Sequence, residues 1–189
     1  MTNHKKYLGK IMAAICITGI LGCGSPFKYE KYISQDALLN ITMDMLSGWT
    51  PRETRGASAS YLQVSFVPPP TSKEALLSIT VKDTAHIGTR DDLNAVTDDL
   101  LAKRHEMAGF KLEKRAESSL LGQPAVMLEM SYKTLMSMAR NAPLTPVHEK
   151  MLITRIKDNF YFFRYQNTTE KFAALEPAFA HMAKSLHTK

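Results

Sequence analysis

Residues 151–166 read MLITRIKDNFYFFRYQ, and this stretch decides the fold. Two runs rich in β-branched and aromatic residues, Met151 to Lys157 and Phe160 to Gln166, flank Asp158-Asn159. Such runs favour strands, and a two-residue connection of Asp and Asn is typical of a β-hairpin. The stretch therefore predicts two adjacent antiparallel strands with a turn at Asp158-Asn159.

Further strands are predicted on the N-terminal side of this hairpin. Four segments alternate apolar and polar residues with the period of a half-buried strand. Their apolar residues are Ile41, Met43 and Met45; Leu62, Val64 and Phe66; Leu77, Ile79 and Val81; and Val126, Leu128, Met130 and Tyr132. The run from Phe110 to Glu117 carries Lys111, Lys114 and Arg115, a pattern typical of a solvent-facing edge strand. We therefore expect six or seven strands in all.

Two segments have the three-and-four spacing of an amphipathic helix. The first follows a predicted N-cap at Thr89 and ends near Gly109, and the second begins at Thr168 or Thr169. The apolar stripe of the first is Leu93, Val96, Leu100 and Met107, and that of the second is Phe172, Leu175, Phe179, Met182 and Leu186. Strands and helices together predict an α+β domain with a central, largely antiparallel sheet.

The N-terminus has the outline of a secretory signal. Three lysines at positions 5, 6 and 10 precede the uncharged run Ile11 to Gly22, and Ile20-Leu21-Gly22-Cys23 resembles the bacterial lipobox, in which the Cys is acylated and the chain is cleaved before it. We expect residues 1–22 to be a lipoprotein signal peptide, 23–37 a lipid-anchored linker and 38–189 a single domain. The alternative is an uncleaved anchor, but the run would rise only about 18 Å as a helix against a hydrocarbon core of roughly 30 Å.

Cleavage before Cys23 changes the bulk properties of the chain. It leaves 167 of the 189 residues and removes three of the 24 basic residues, so the formal charge falls from +6 to +3 against 18 acidic residues. This weak balance argues against a nucleic-acid partner. Cys16 leaves with the signal and Cys23 is acylated, so the folded domain has no thiol for a disulfide or a Cys-ligated metal. Gly24 after the Cys resembles the default for passage to the periplasmic face of the outer membrane in Gram-negative bacteria.

No catalytic motif is found in the sequence. Gly56-Ala57-Ser58-Ala59-Ser60 lacks the second Gly of a nucleophile elbow, and phosphate-binding, zinc-helix and calcium-loop patterns are missing. His181 and His187 are six residues apart, whereas two ligands on one helix face need a spacing of three or four. The sequence therefore predicts no catalytic residue, cofactor or metal. An enzyme whose site is assembled from scattered residues stays open as an alternative.

The predicted loop from Lys133 to Glu149 is the candidate for partner binding. It is long for its context and too apolar for a solvated spacer. Its apolar residues must therefore be covered by the fold or by a partner protein of the envelope, and they are Leu135, Met136, Met138 and Leu144.

Two further interpretations concern this loop. Trp49 is a second partner-binding candidate and a candidate neighbour of the loop, where it would stack on a ligand in a groove; packing in the core or at its rim is the other interpretation. The thioethers of Met136 and Met138 with the imidazole of His148 would suit Cu(I), which makes a copper-binding protein the rival function. Other methionines fall on core stripes, however, and indicate that this chain uses methionine as filler.

The order of these features resembles the PsbP-like superfamily. The matching features are Trp49 after a short strand, a loop with Pro68-Pro69-Pro70, Thr89-Arg90-Asp91-Asp92 before a helix, Leu121-Gly122-Gln123-Pro124-Ala125 at the start of a long strand, the aromatic strand Phe160 to Tyr165 and a last helix ending at Lys184-Ser185-Leu186. The resemblance covers residues 38–186 and extends to DcrB-like envelope lipoproteins. It implies a central antiparallel sheet with helices on both faces, an α/β/α sandwich. Because such proteins mostly bind other proteins or assist their assembly, it also implies a non-catalytic module anchored to the cell envelope by its lipid.

Overall fold

The structure is a computed structural model that describes residues 26–56, 61–70, 75–83, 92–135 and 142–189. Within these ranges the chain forms ten strands and two helices. In chain order they are β1 (Tyr29–Ile33), β2 (Ile41–Leu46), β3 (Thr50–Arg55), β4 (Tyr61–Val67), β5 (Leu76–Asp83), α1 (Leu93–His105), β6 (Lys111–Leu120), β7 (Gln123–Leu135), β8 (Leu144–Ile156), β9 (Asn159–Thr168), α2 (Phe172–Ser185) and β10 (His187–Thr188). Neither helix has the length and apolar character that crossing a membrane requires.

Seven strands form one antiparallel sheet in the order β3-β4-β5-β9-β8-β7-β6. The remaining three form a small antiparallel sheet with β2 between β1 and β10. The β8–β9 hairpin lies in the middle of the large sheet, because β9 also pairs with β5 and β8 with β7. The antiparallel sheet predicted from residues 151–166 is thereby confirmed.

The two faces of the large sheet pack against different helices, because successive strand residues point to opposite sides. Phe163 of β9 joins a core cluster with the small sheet and with Phe179 of α2. Phe160 and Phe162 join a second cluster with Leu101 of α1. Each face therefore carries one helix, and the small sheet completes the layer on the α2 side. The protein is mostly an antiparallel sheet with two helices. On the α2 side, the strands of the small sheet occupy part of the layer that the resemblance implies to be helical.

The alternating segments form strands as predicted. Their apolar residues are buried in β2, β4, β5 and β7, with Val126 half-buried. The predicted edge strand is β6, which pairs with β7 alone and contains a bulge between Leu112 and Lys114. Charges and a bulge are two of the devices that keep an edge strand from pairing with another chain.

Three predicted boundaries are wrong. Ile156 pairs with Asn159, so the hairpin turn is Lys157-Asp158, and Lys157 adopts the left-handed conformation at φ 52°. The N-cap of α1 is Asp92, whose carboxylate accepts a hydrogen bond from the backbone of Asn94, while Thr89 lies outside the described residues. α2 begins at Phe172 because β9 continues through Thr168 by pairing with β8.

Two segments predicted to be irregular contain strands. The predicted linker 23–37 includes β1, which pairs with β2 although only Tyr32 among its residues is buried. The predicted loop Lys133 to Glu149 is shorter than expected, because β7 continues to Leu135 and β8 begins at Leu144. In both places the pairing of the backbone with a neighbouring strand outweighs a weak sequence pattern.

Candidate functional site

The β7–β8 hairpin extends beyond the rest of the sheet. The last residue of β9, Thr168, pairs with Val147, but β7 and β8 continue to pair with each other for three more positions. We call this projecting ribbon, residues 133–135 and 144–146, the arm. At about 3.4 Å per residue it reaches about 10 Å past the end of β9.

Two exposed leucines lie side by side at the tip of the arm. Leu135 and Leu144 are cross-strand partners, and they are 59% and 51% exposed. The other large apolar side chains exposed in the described part of the chain are dispersed over β1, β4 and β6. Directly opposed residues have Cβ atoms about 5 Å apart, so the two leucines form one apolar patch. Because each is already about half covered, covering the rest of it would gain about half of the 1.5–3 kcal/mol that full burial of such a side chain contributes.

Both sides of the arm are tied to the neighbouring elements. The backbone N–H of Lys133 donates to the carbonyl of Ala108, which follows α1, at 2.8 Å. The N–H of Thr169, which precedes α2, donates to the carbonyl of Pro146 at 3.2 Å. The arm therefore leaves the sheet in a fixed direction.

A buried ionic cluster lies at the base of the arm on the α1 face. Its centre is Glu149 of β8, which is 0% exposed. Arg164 of β9 donates to both carboxylate oxygens of Glu149 at 2.8 Å, and Arg104 of α1 donates to one of them at 3.2 Å. The hydroxyl of Tyr132 of β7 also donates to this carboxylate, and Arg164 donates to the side-chain carbonyl of Gln166. One carboxylate thus joins α1 to three adjacent strands.

The cluster holds two positive charges against one negative charge. Burial raises the pKa of Tyr132 to about 12, and the charge of Glu149 adds to this effect, so the hydroxyl stays protonated and donates. Burial alone would lower the pKa of Arg164, but the adjacent carboxylate outweighs it and the pKa is raised. The guanidinium of Arg104 lies 5.4 Å from the ring of Tyr132, a cation–π contact, and its buried Nε has no hydrogen-bond partner among the described residues. Glu149 is inaccessible and both of its carboxylate oxygens accept hydrogen bonds, so the cluster ties α1 to the strands of the sheet.

The opposite face of the arm's base carries His148, the imidazole in the copper hypothesis. Its Nε2 lies 3.0 Å from the carboxylate of Glu129, and its ring packs 4.2 Å from the ring of Phe172. Met136 and Met138 lie outside the described residues, and so does the lipidation candidate Cys23. The described segments contain no group of three or more His, Cys, Asp or Glu side chains arranged to hold a metal ion.

Trp49 is far from the arm. It is 7% exposed and belongs to the core cluster on the α2 side, in agreement with the interpretation that it packs in the core. It directly precedes β3, and four strand spacings of about 4.8 Å separate β3 from β8 in the sheet order. The expectation that Trp49 is a neighbour of the loop is therefore wrong.

Two surface cavities lie elsewhere on the molecule. One, of about 600 Å³, lies beside Tyr32 and Glu53, which are joined by a hydrogen bond from the hydroxyl to the carboxylate. The other, of about 620 Å³, lies between α2 and the β6–β7 turn, and Lys150, Lys184 and His187 contribute to its wall. Neither cavity includes a site residue predicted from the sequence.

Comparisons with solved structures give the fold a name. Cyanobacterial PsbP (CyanoP) from Synechocystis superposes with a TM-score of 0.54 at 16% identity, over 88% of this chain and 97% of that chain. LpqN, described as involved in cell envelope biogenesis of Mycobacterium tuberculosis, gives 0.51 at 15% identity over 87% and 92%. The Ran-binding protein Mog1p of Saccharomyces cerevisiae gives 0.51 at 12% identity over 86% and 96%. No family model and no curated protein sequence matches the chain. At these identities the likeness concerns the fold alone, and the chain has a PsbP-like fold.

Proposed function

We propose that this protein is a lipid-anchored protein of the cell envelope that acts as a non-catalytic binding or assembly module, with the arm as its contact surface. Cys23 carries the lipid, and the domain lies outside the cytoplasm, on the periplasmic face of the outer membrane if the cell is Gram-negative. Met136 and Met138 belong to the segment that joins the two halves of the arm, and we propose that they take part in the same contact. No reaction is assigned to the domain.

The patch formed by Leu135 and Leu144 is the observation that carries this proposal. The other exposed large apolar residues of the described chain are single and dispersed, whereas these two are adjacent and at the end of a projection. A contiguous apolar patch on a projecting element is typical of a protein contact. The arm is held from both sides, so a partner loses little free energy in ordering it.

Two proteins of the same fold are compatible with such a role. LpqN is described as involved in cell envelope biogenesis and Mog1p as Ran-binding. These descriptions belong to distant proteins, and they support the proposal only as examples of binding and envelope roles on this fold.

The contact is tested with a photo-crosslinking residue in place of Lys133, which lies on the same side of β7 as Leu135. In native membranes we expect a protein adduct from this position and none from a matched probe at Asp158, on the opposite edge of the sheet. The double variant Leu135→Lys with Leu144→Asp places opposite charges on the paired positions, and it should lose the adduct while its unfolding free energy stays within about 0.5 kcal/mol of the parent. The control variant Ile33→Asp changes an exposed apolar residue of β1, which is not part of the arm, and should keep the adduct. An adduct that survives the double substitution contradicts the proposed contact surface.

The anchor is tested separately by mass spectrometry of the N-terminus. The mature chain should begin at an acylated Cys23, and Cys23→Ala should give an uncleaved precursor or a protein that no longer partitions into detergent. Each buried CH₂ group of the acyl chains contributes about 0.8 kcal/mol, and more than one chain is needed for stable attachment. A mature end at any other residue would contradict lipid anchoring.

A further inference from the structure

We infer that the partner of the arm is a protein embedded in the same membrane that holds the lipid anchor. This inference rests on the proposed function, because it takes Cys23 as acylated and the arm as the contact surface. It adds where the partner is and which class of protein it belongs to.

The chain enters the fold almost directly after the proposed anchor. Phe27 already packs against the core cluster, and the carbonyl of Lys28 accepts a hydrogen bond from the backbone of Ser47 at 3.0 Å. Whatever conformation the preceding residues adopt, the four-residue step from Cys23 to Phe27 spans at most about 14 Å. The corner of the domain at Phe27 must therefore lie within that distance of Cys23, and so close to the lipid head groups.

This corner and the arm lie at the same row of strand ends of the large sheet, which we call the strand-end edge. Ser47 leads through a turn at Gly48 into the first residue of β3. Because all neighbouring strands are antiparallel, the start of β3 lies beside the end of β4, the start of β5, the end of β9 and the start of β8. The residue pairs that follow this edge are Thr50↔Val67, Phe66↔Leu77, Leu76↔Gln166, Val147↔Thr168 and Leu135↔Leu144.

The distances along this edge let the arm reach the membrane. From β3 to β8 there are four strand spacings, which is about 19 Å. The arm projects about 10 Å beyond the end of β9, and the tether allows up to about 14 Å between the anchor and the domain. When the domain is oriented with this side of the sheet towards the membrane, Leu135 and Leu144 are within reach of the lipid boundary.

The construction of the arm favours a protein over lipid at this boundary. The arm is a ribbon of two strands, since β9 ends opposite Val147 and β6 begins opposite Ser131. The N–H of Lys133 and the carbonyl of Pro146 are bonded at the base of the arm. Beyond them the described part of the ribbon has no neighbouring strand, and hydrocarbon offers outward-facing backbone groups no partner. A protein offers both apolar cover for the two leucines and hydrogen bonds for the open edges, as in the addition of a strand to a sheet.

The experiment varies the length of the tether in the full lipidated protein. A flexible Gly/Ser insert of about 20 residues is placed after Gly24, and the adduct from the crosslinker at Lys133 is measured in intact membranes. The matched control carries the same insert after Lys189, where it leaves the tether unchanged. A partner fixed at the lipid boundary loses local concentration as the tether lengthens, so we expect the adduct to fall by about fivefold to tenfold with the first insert and to stay constant with the second. The partner identified from the adduct should also remain in the pellet when membranes that have not been crosslinked are washed with alkaline carbonate.

The outcomes separate this inference from the proposed function. An adduct yield that is independent of tether length, or a partner that carbonate releases from membranes without crosslinking, overturns the membrane-embedded partner and leaves the contact surface in place. A crosslink to lipid in place of protein overturns the inference in the same way. A Cys23 without acyl chains, or no protein adduct from Lys133 in any tether, overturns both.

Discussion

The substitution Glu149→Gln tests whether the ionic cluster at the base of the arm holds the fold together. The glutamine has nearly the same shape as the glutamate and keeps one acceptor oxygen, so the change removes the charge with little change in packing. Arg164 and Arg104 are then left with no carboxylate in the cluster. The N–H₂ group of the new amide is a hydrogen-bond donor and faces groups that are themselves donors. The loss of charge compensation, rather than a cavity, is what the experiment measures.

The expected cost follows from the geometry. Two unit charges about 4 Å apart attract by about 4 kcal/mol at the effective dielectric of about 20 that describes partly buried pairs. Arg164 meets this condition with two contacts at 2.8 Å, whereas Arg104 makes one contact at 3.2 Å and its side chain is 23% exposed, so it adds less. Breaking a buried pair by removing one partner typically costs 3–5 kcal/mol. We therefore expect Glu149→Gln to lower the unfolding free energy by about 3–5 kcal/mol out of a total of about 5–15 kcal/mol.

Urea unfolding followed by tryptophan fluorescence measures this change. Trp49 is the sole tryptophan of the chain and is 7% exposed, so its emission reports loss of the core. The control is Glu129→Gln, whose carboxylate is 25% exposed beside His148 and should cost less than about 1 kcal/mol. Equal unfolding midpoints for the two variants would refute the argument that the buried cluster stabilises the fold.

Two further predictions concern the core and the tyrosines. Phe179→Ala removes a 2% exposed ring from the contact between α2 and the sheet and should cost about 3–5 kcal/mol; an unchanged melting curve would show that the helix is peripheral. Burial raises the pKa of Tyr132 and of Tyr165 to about 12, so their contribution to stability is complete below their unfolded pKa of about 10 and is lost as the pH rises towards 12. Ultraviolet absorbance of tyrosinate should show these groups titrating late in the folded protein, and Tyr132→Phe should remove one late group; a single titration near the ordinary pKa would contradict their burial.

The sequence predicts the central strands because each has to bury one face. In β2, β4, β5 and β7 the alternating residues are those that the structure buries, and this alternation is the expected signature of an antiparallel sheet covered by other layers. The C-terminal helix is predicted for the same reason, since its stripe faces one core cluster. Where burial is strong, pattern and structure agree.

Edge strands escape the same reasoning. β1 buries only Tyr32 among its five residues, and β3 contains Pro51 and three charged side chains. β10 is two residues long. These strands exist because a neighbouring strand offers backbone hydrogen bonds, and backbone pairing leaves no periodic trace in the side chains. For this reason the sequence predicts a linker that extends too far and contains no signal for the small sheet.

The site at the base of the arm is hidden in the sequence for a different reason. Glu149 lies between Val147 and Met151 on one side of β8, and Arg164 follows Phe160 and Phe162 on one side of β9. Each is a single charged residue on a strand face whose other residues are apolar, and this interruption is the signal of the cluster that the sequence contains. Only the strand register, in which Met151 pairs with Arg164, places the two charges on the same face and within reach.

The position of Glu149 links the stability of the sheet to the direction of the arm. Its carboxylate contacts Tyr132 of β7, Arg164 of β9 and Arg104 of α1, so each contact depends on the place of a different element. A slip of β8 by one residue would turn Glu149 to the opposite face and leave two arginines without a carboxylate. An apolar core at this position would resist such a slip less sharply, because apolar side chains of similar volume replace one another at low cost. The cluster thus favours a single register of β7, β8 and β9, and that register determines where Leu135 and Leu144 emerge from the sheet.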